Sequence, residues 1–127
     1  MFKLQNRIEL IVPKEDNQGN EISDKHIKSC VNNITIEAGG CTITEVTGQW
    51  YSEDENRIMQ DNNLNLEWYY TNEYDTLNFM THAIKSIVNR LINVYDQEAI
   101  SIKINSTLYI VDQSDIEELH TTLKNIM

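Results

Sequence analysis

Residues 64–70 read Leu-Asn-Leu-Glu-Trp-Tyr-Tyr, and this stretch decides the fold. Positions 64, 66, 68 and 70 are apolar or aromatic and alternate with Asn65, Glu67, Tyr69 and Thr71. A period of two predicts a β-strand that buries one face. Asp75 is the predicted N-cap of a long helix whose apolar stripe is Leu77, Met80, Ile84, Ile87, Val88, Leu91 and Tyr95. A strand with one apolar face that is followed by an amphipathic helix indicates a sheet covered on one side by a layer of helices.

The residues before this stretch predict a strand and a helix. Residues 3–12 alternate with a period of two, and Pro13 ends that strand because it lacks a backbone N–H. Ser23 is the predicted N-cap of a helix with the apolar stripe Ile27, Cys30, Val31 and Ile34. Gly39 and Gly40 supply the left-handed backbone that ends a helix at low cost.

Between that helix and residue 64, the sequence predicts a strand and a loop. Residues 41–51 are expected to form a second strand, with a bulge near Gly48 because the apolar side changes there. The stretch 52–63 is mostly polar and is expected to be a long connection.

The residues after the long helix predict two strands and a helix. Positions 100, 102 and 104 are all Ile, the pattern of a fourth strand, and Asn105-Ser106 turns the chain into a short fifth strand at 107–111. Ser114 and Glu117 have the spacing of a capping box for a last helix. The order is β-α-β-β-α-β with a short C-terminal β-α tail. It predicts one α+β domain over residues 1–127, with a ferredoxin-like sheet and its helices on one face.

The charge is concentrated in one part of the chain. The net charge is −10, and residues 41–75 contain one basic residue, Arg57, against eight acidic residues. Such a surface repels nucleic acid and anionic membranes, so neither is a predicted partner. The apolar runs are shorter than a membrane span, and the N-terminus lacks the apolar region of a signal peptide. We therefore expect a cytoplasmic protein of a bacterial cell with free thiols at Cys30 and Cys41.

Aromatic and acidic residues adjoin one another in the acidic segment and on the predicted third strand. A solvated loop is one interpretation of the segment, and a binding epitope with aromatic anchors and an acidic rim is the other. On the second interpretation, the predicted partner-binding residues are Trp50, Tyr51, Glu53, Asp54, Glu55, Asp61, Glu67 and Tyr69.

No catalytic motif, cofactor motif or metal motif is recognisable. The three histidines fall on three predicted helices, and the cysteines lack a base partner at a recognisable spacing. Glu9 and Glu67 are expected on the same side of the sheet, near Arg7 and Tyr69. They form either an ordinary cross-strand polar pair on a solvent-exposed face of the sheet or a pair capable of acid–base chemistry.

The predicted order of elements over residues 3–104 resembles that of the PII-like and other small ferredoxin-like proteins. The resemblance implies that the connection between the second and third strands is a contact element. The basic residues with which such proteins hold nucleotide phosphates have no counterpart in the acidic connection here. Gly39-Gly40-Cys41-Thr42 and Gly48-Gln49-Trp50 also resemble uncharacterised small proteins of low-GC phages and mobile elements.

Three hypotheses for function follow. The leading one is a non-catalytic acidic inhibitor, encoded by a phage or mobile element, that blocks a basic, nucleic-acid-binding surface of a host defence protein such as a nuclease. The alternative is an oligomeric small-molecule or nucleotide-binding protein that senses or sequesters its ligand between subunits. The third is an enzyme that uses Glu67, Glu9 and Tyr69. A homo-oligomer, as a dimer, is expected because a polar sheet face is often covered by a second copy.

Overall fold

The computed structural model describes all residues from Met1 to Met127 and confirms the predicted α+β ferredoxin-like architecture. The elements in chain order are β1 (Asn6–Pro13), α1 (Lys25–Ala38), β2 (Thr42–Ser52), β3 (Arg57–Tyr70), α2 (Tyr74–Asn93), β4 (Ala99–Ile104), β5 (Thr107–Asp112) and α3 (Leu119–Ile126).

The five strands form one antiparallel sheet in the order β2-β3-β1-β4-β5. The alternation read from the sequence determines which face is buried, because even-numbered residues of β1, β3 and β4 point toward the helices. Trp68 at the centre of β3 is 0% exposed, and its indole N–H donates to Thr35 Oγ1 of α1 at 3.0 Å. The predicted burial of Trp68 is therefore confirmed.

Asp24, and not Ser23, is the N-cap of α1. Its backbone is extended, with φ −129° and ψ 113°, and its carboxylate accepts from the Ile27 N–H at 2.9 Å. Both residue types are good N-caps, but only Asp24 also binds Arg90 of α2. Gly39 ends α1 at φ 102° and donates its N–H to the Thr35 carbonyl, as predicted.

Two other predicted caps are wrong by a few residues. The N-cap of α2 is Glu73, and Asp75 lies inside the first turn, where its charge faces the positive end of the helix dipole. The capping box after β5 is formed by Asp112 and Asp115 instead of Ser114 and Glu117. It closes a single 3₁₀ turn, and α3 begins beyond it at Leu119.

The predicted long connection at 52–63 is also wrong, because most of it is strand. β2 and β3 pair without interruption from Thr42 with Glu67 to Ser52 with Arg57, so no bulge interrupts the ladder at Gly48. A tight turn at residues 53–56 joins the strands, with Asn56 at φ 53°. Because β1 pairs with β3 only from Asn63 onward, residues 47–62 extend past the sheet as a two-stranded hairpin arm.

Candidate functional site

The face of the sheet that carries no helices holds a cluster of charged and polar side chains. Arg7 and Glu9 of β1 lie opposite Tyr69 and Glu67 of β3 in the antiparallel register. Asn65 is the next residue along β3 on the same face. We call these five residues the carboxylate face.

The carboxylate face contains two acidic groups side by side. Like charges opposite each other on neighbouring strands are unfavourable unless a cation lies between them. Arg7 supplies that cation, with Nε 3.7 Å from Glu9 Oε2 and Nη1 3.7 Å from Glu67 Oε2. The side chains of Glu9 and Glu67 are only 13% and 22% exposed, so both carboxylates are partly shielded from water.

Contacts within this cluster keep Arg7 charged and orient Glu9. The Glu9 carboxylate, followed by the Tyr69 phenol, raises the pKa of Arg7 above its usual value, so the guanidinium stays charged. Asn65 Nδ2 donates to Glu9 Oε1 at 3.1 Å, while Asn65 Oδ1 is buried without a hydrogen-bond partner. The site therefore holds an unused acceptor beside two carboxylates.

A cleft of about 470 Å³ opens beside Glu67 and Tyr69. Its walls come from the N-terminal segment, the end of α1 and the start of β2, and they include Phe2, Leu4, Gly39, Gly40, Cys41 and Thr42. Glu67 is the one charged residue among the residues that line it. The C-terminus of α1 also directs the negative end of its dipole at this region, so the cleft favours a cation.

Cys41 borders this cleft but is not prepared as a nucleophile. Burial raises the pKa of the Cys41 thiol, which keeps it protonated near neutral pH. The aromatic groups at the cleft, Phe2 and Tyr69, are 83% and 40% exposed. They offer ring faces to a planar or cationic ligand.

The structure places the eight predicted partner-binding residues in two separate groups. Glu67 and Tyr69 belong to the carboxylate face, and the other six lie on the hairpin arm. Thr42 of β2 pairs with Glu67 of the carboxylate face. Trp50 lies eight positions further along β2, where it pairs with Met59. At about 3.3 Å per residue, the two groups are about 26 Å apart along the strand.

On the hairpin arm, the six residues occupy both faces and the tip. Trp50 donates its indole N–H to Asp61 Oδ2 at 2.9 Å on the face continuous with the carboxylate face. Tyr51 lies on the opposite face of β2, 54% exposed, and donates its hydroxyl to Asn56. Glu53, Asp54 and Glu55 form the exposed turn. Asp61 is thus a strand residue and not part of a loop.

Sequence reasoning missed two parts of this region. In the sequence, Asn65 is only one of the polar positions that alternate along β3. That its Oδ1 is buried without a hydrogen-bond partner depends on the packing around it. Phe2 gave no signal, because its place in the cleft depends on a segment that precedes β1. Gly39 ends α1, as predicted, and Gly39 and Gly40 also form a wall of the cleft.

The histidines and the helices add no metal site or membrane span. His82 and His120 stack with ring centroids 3.5 Å apart, and His26 lies 2.7 Å from Ser86 Oγ. No three His, Cys, Asp or Glu side chains converge as metal ligands. None of the helices combines the length and the apolar character that crossing a membrane requires.

Comparison with solved structures finds the same fold in other proteins. A phage SAM lyase in complex with S-methyl-5'-thioadenosine aligns with a TM-score of 0.56 and 10% identity over 90% of this chain and 96% of the other. A phage SAM lyase in the apo state has a TM-score of 0.56 and 13% identity over 88% and 94% of the two chains. The periplasmic divalent cation tolerance protein CutA from Archaeoglobus fulgidus has a TM-score of 0.47 and 9% identity over 93% and 97%.

The two phage SAM lyase structures, each with a TM-score of 0.56, show that the chain shares its fold with that protein. The sequence itself matches no protein-family model. It also matches no curated protein.

Proposed function

We propose that this protein binds a small cationic metabolite, an S-adenosyl sulfonium compound, on the carboxylate face and in the adjoining cleft. The observation that carries the proposal is the pair of partly buried carboxylates, Glu9 and Glu67, bridged by Arg7 beside a cleft in which Glu67 is the one charge. This proposal develops the small-molecule hypothesis raised from the sequence, but it places the ligand on one chain instead of between subunits. It takes the place of the acidic-inhibitor hypothesis as the leading one.

The chemistry of the site supports a ligand with mixed charge. S-Adenosylmethionine carries a sulfonium and an ammonium that a carboxylate attracts, and an α-carboxylate that a guanidinium binds as a bidentate pair. Its adenine is a planar ring suited to stacking on Tyr69 or Phe2. The phage SAM lyase that shares the fold is in complex with S-methyl-5'-thioadenosine, the thioether that remains when the sulfonium loses its amino-acid chain.

Calorimetric titration tests this proposal with two matched ligands. S-Adenosylmethionine and S-adenosylhomocysteine share the adenosine and the amino acid, but only the first carries the sulfonium charge. We expect the sulfonium compound to bind about tenfold tighter, because a charged partner adds about 1.5 kcal/mol to a shielded contact. Chromatography of the same mixture detects S-methyl-5'-thioadenosine if the ligand is also cleaved. Equal affinities, or no heat from either ligand at millimolar concentration, would contradict the proposal.

We also propose that the functional unit is a homo-oligomer in the bacterial cytoplasm, as a dimer that covers the open sheet face. Leu108 and Ile110 of the edge strand β5 lie on that face and are 51% and 67% exposed. Adjacent apolar side chains on an unpaired edge strand are typical of a surface that contacts another chain. A second copy there would also narrow the entrance to the carboxylate face.

A second candidate function rests on the hairpin arm. The arm extends beyond the sheet and presents an acidic tip at residues 53–55, flanked by Tyr51 and Ile58, which are 54% and 58% exposed. This arrangement supports a surface that blocks a basic, nucleic-acid-binding patch on a host defence protein such as a nuclease, as a phage or mobile-element inhibitor does.

Neutralising the tip tests this second function. A Glu53→Gln, Asp54→Asn, Glu55→Gln variant should melt at an unchanged or slightly higher temperature, because three exposed like charges repel one another. Its binding to a basic partner should weaken severalfold and lose much of its salt dependence, since exposed ion pairs are screened within about 8 Å at physiological ionic strength. The partner is sought by pull-down from host lysate. An unchanged affinity and salt slope in a folded variant would exclude the acidic tip as the contact.

A further inference from the structure

A second cavity, of about 540 Å³, lies on the helical side of the sheet, away from the carboxylate face. It runs between α1 and the strands β2 and β3. Half of the 16 residues that line it are hydrophobic, and they include Val12, Ile22, Ile27, Val31, Ile43 and Leu64. We call this cavity the aliphatic groove.

The groove exists because the helical layer does not reach the edge of the sheet. Ile43 of β2 lies next to the buried Leu66 in register, yet Ile43 remains 59% exposed. A large apolar side chain that faces the helical side but has no helix above it leaves an unfilled apolar surface. The lining contains no aromatic side chain, so it suits a flexible alkyl chain better than a planar ring.

Three lysines line the groove, although the chain as a whole has a net charge of −10. Lys14, Lys25 and Lys28 line it, and Lys14 is paired with Glu45 at 3.0 Å. Lys25 and Lys28 form no ion pair within the chain. One turn of α1 separates them, so they lie on neighbouring positions of the same helix face.

Two carboxylates also line the groove, but only one opposes the lysines. Asp24 is already bound by Arg90 at 2.7 Å and its side chain is 4% exposed. Glu21 is exposed and remains as the one free negative charge at the rim. Lys25 and Lys28 together therefore outweigh it, and the groove has local positive charge beside an aliphatic wall.

We propose that the aliphatic groove binds an aliphatic carboxylate of medium chain length, with the alkyl chain against Val31, Ile43 and Leu64 and the carboxylate between Lys25 and Lys28. The groove volume lies within the usual range for small-molecule sites, about 300–1,000 Å³. This site is separate from the S-adenosyl site, because no residue lines both cavities.

Titration calorimetry with octanoate, decanoate and decyltrimethylammonium, each below its micelle concentration, tests the proposal. Each buried methylene contributes about fourfold in affinity, so decanoate, with two more methylenes, should bind about fifteenfold tighter than octanoate. The cationic ten-carbon probe should bind at least tenfold more weakly than decanoate. Equal binding of decanoate and decyltrimethylammonium would overturn the proposal, and so would no binding of decanoate at 1 mM, about the weakest affinity worth assigning to a site.

Matched variants test which residues bind the carboxylate of the ligand and which bind its alkyl chain. Lys25→Gln/Lys28→Gln should weaken decanoate about five- to tenfold, whereas Lys85→Gln/Lys124→Gln lowers the net charge equally on α2 and α3 and should have no effect. Ile43→Thr, at an exposed position that folding tolerates, should weaken decanoate and leave the lysine contacts intact. An equal loss in both lysine variants would overturn the proposal. Dissociation of an oligomer by Ile43→Thr would do the same, because the groove would then be a contact between copies.

Discussion

Replacing Asp24 by Ala is expected to lower the free energy of unfolding by about 3–4 kcal/mol, because it breaks a shielded ion pair and removes a helix cap together. The Asp24 side chain is 4% exposed, and one of its oxygens accepts from Arg90 Nη2 at 2.7 Å and from the Tyr95 hydroxyl at 2.7 Å. Its other oxygen accepts from the Ile27 N–H at 2.9 Å. Arg90 is 35% exposed and can turn to water after the loss, so the expected effect lies at the lower end of the range for buried pairs.

Asp24→Asn is the matched control, because it keeps an oxygen for the cap and removes the charge. It should cost less than Asp24→Ala when both are measured by urea unfolding at pH 7. Equal and small losses, below about 1 kcal/mol, would show that Arg90 and Asp24 do not stabilise each other, as is common for exposed pairs.

The same carboxylate predicts how stability depends on pH. Burial alone would raise the pKa of Asp24, but hydrogen bonds from Arg90, the Ile27 N–H and Tyr95 outweigh it and hold the pKa well below its usual value. A depressed carboxyl pKa contributes stability that is complete above the unfolded value, about 3.9, and is lost as the pH falls below it. The difference in free energy of unfolding between the wild type and Asp24→Asn should therefore be constant above about pH 5 and shrink below about pH 4. A difference that does not change down to pH 2.5 would contradict this.

Truncation of Trp68 to Ala should destabilise the fold by about 3–5 kcal/mol, the cost of a large cavity in a packed core. Trp68 is 0% exposed at the centre of β3, and its indole N–H donates to Thr35 Oγ1 at 3.0 Å. Trp68→Phe is the control that keeps one aromatic ring and removes this donor together with the part of the indole that phenyl does not fill. It should cost clearly less than Ala, with the difference measuring the contribution of packing. Both values come from urea unfolding.

Fluorescence provides an independent check of the same position. In a Trp50→Phe background, Trp68 is the only indole, and it should emit at the short wavelengths of a buried ring. Emission at the wavelength of a water-exposed indole in the folded protein would mean that β3 pairs with its faces reversed, because a shift of one residue exchanges the two sides of a strand.

The alternation within the strands was enough to predict the fold. The side chains at 64, 66, 68 and 70 are on the helical side because period-two sequences leave one way to bury them. The hairpin arm was not predictable in this way. Most residues from Arg57 to Asn62 are polar and resemble a loop, but the backbone pairs with β2, and a partner strand overrides a low strand propensity.

The candidate site was predictable only in part. The alternation along each strand predicts that Glu9 and Glu67 lie on the same face of the sheet. They lie directly opposite each other because β1 is the neighbour of β3, and that depends on the order of strands in the sheet. The choice between Ser23 and Asp24 as the cap depends on Arg90, 66 positions further along the chain. The cleft walls at Phe2 and Gly40 come from segments that meet only in the folded chain.

The carboxylate face is tested most directly by the affinity of Glu67→Gln for S-adenosylmethionine, measured by calorimetry. Gln keeps the size of the side chain and removes the charge that lines the cleft. Affinity should fall at least tenfold, because a charge-assisted contact to a shielded carboxylate is lost. Glu53→Gln at the arm tip removes the same charge about 30 Å or more along the hairpin and should bind like the wild type. An unchanged affinity for Glu67→Gln in a folded protein, or an equal loss in both variants, would contradict the assignment of the ligand to this face.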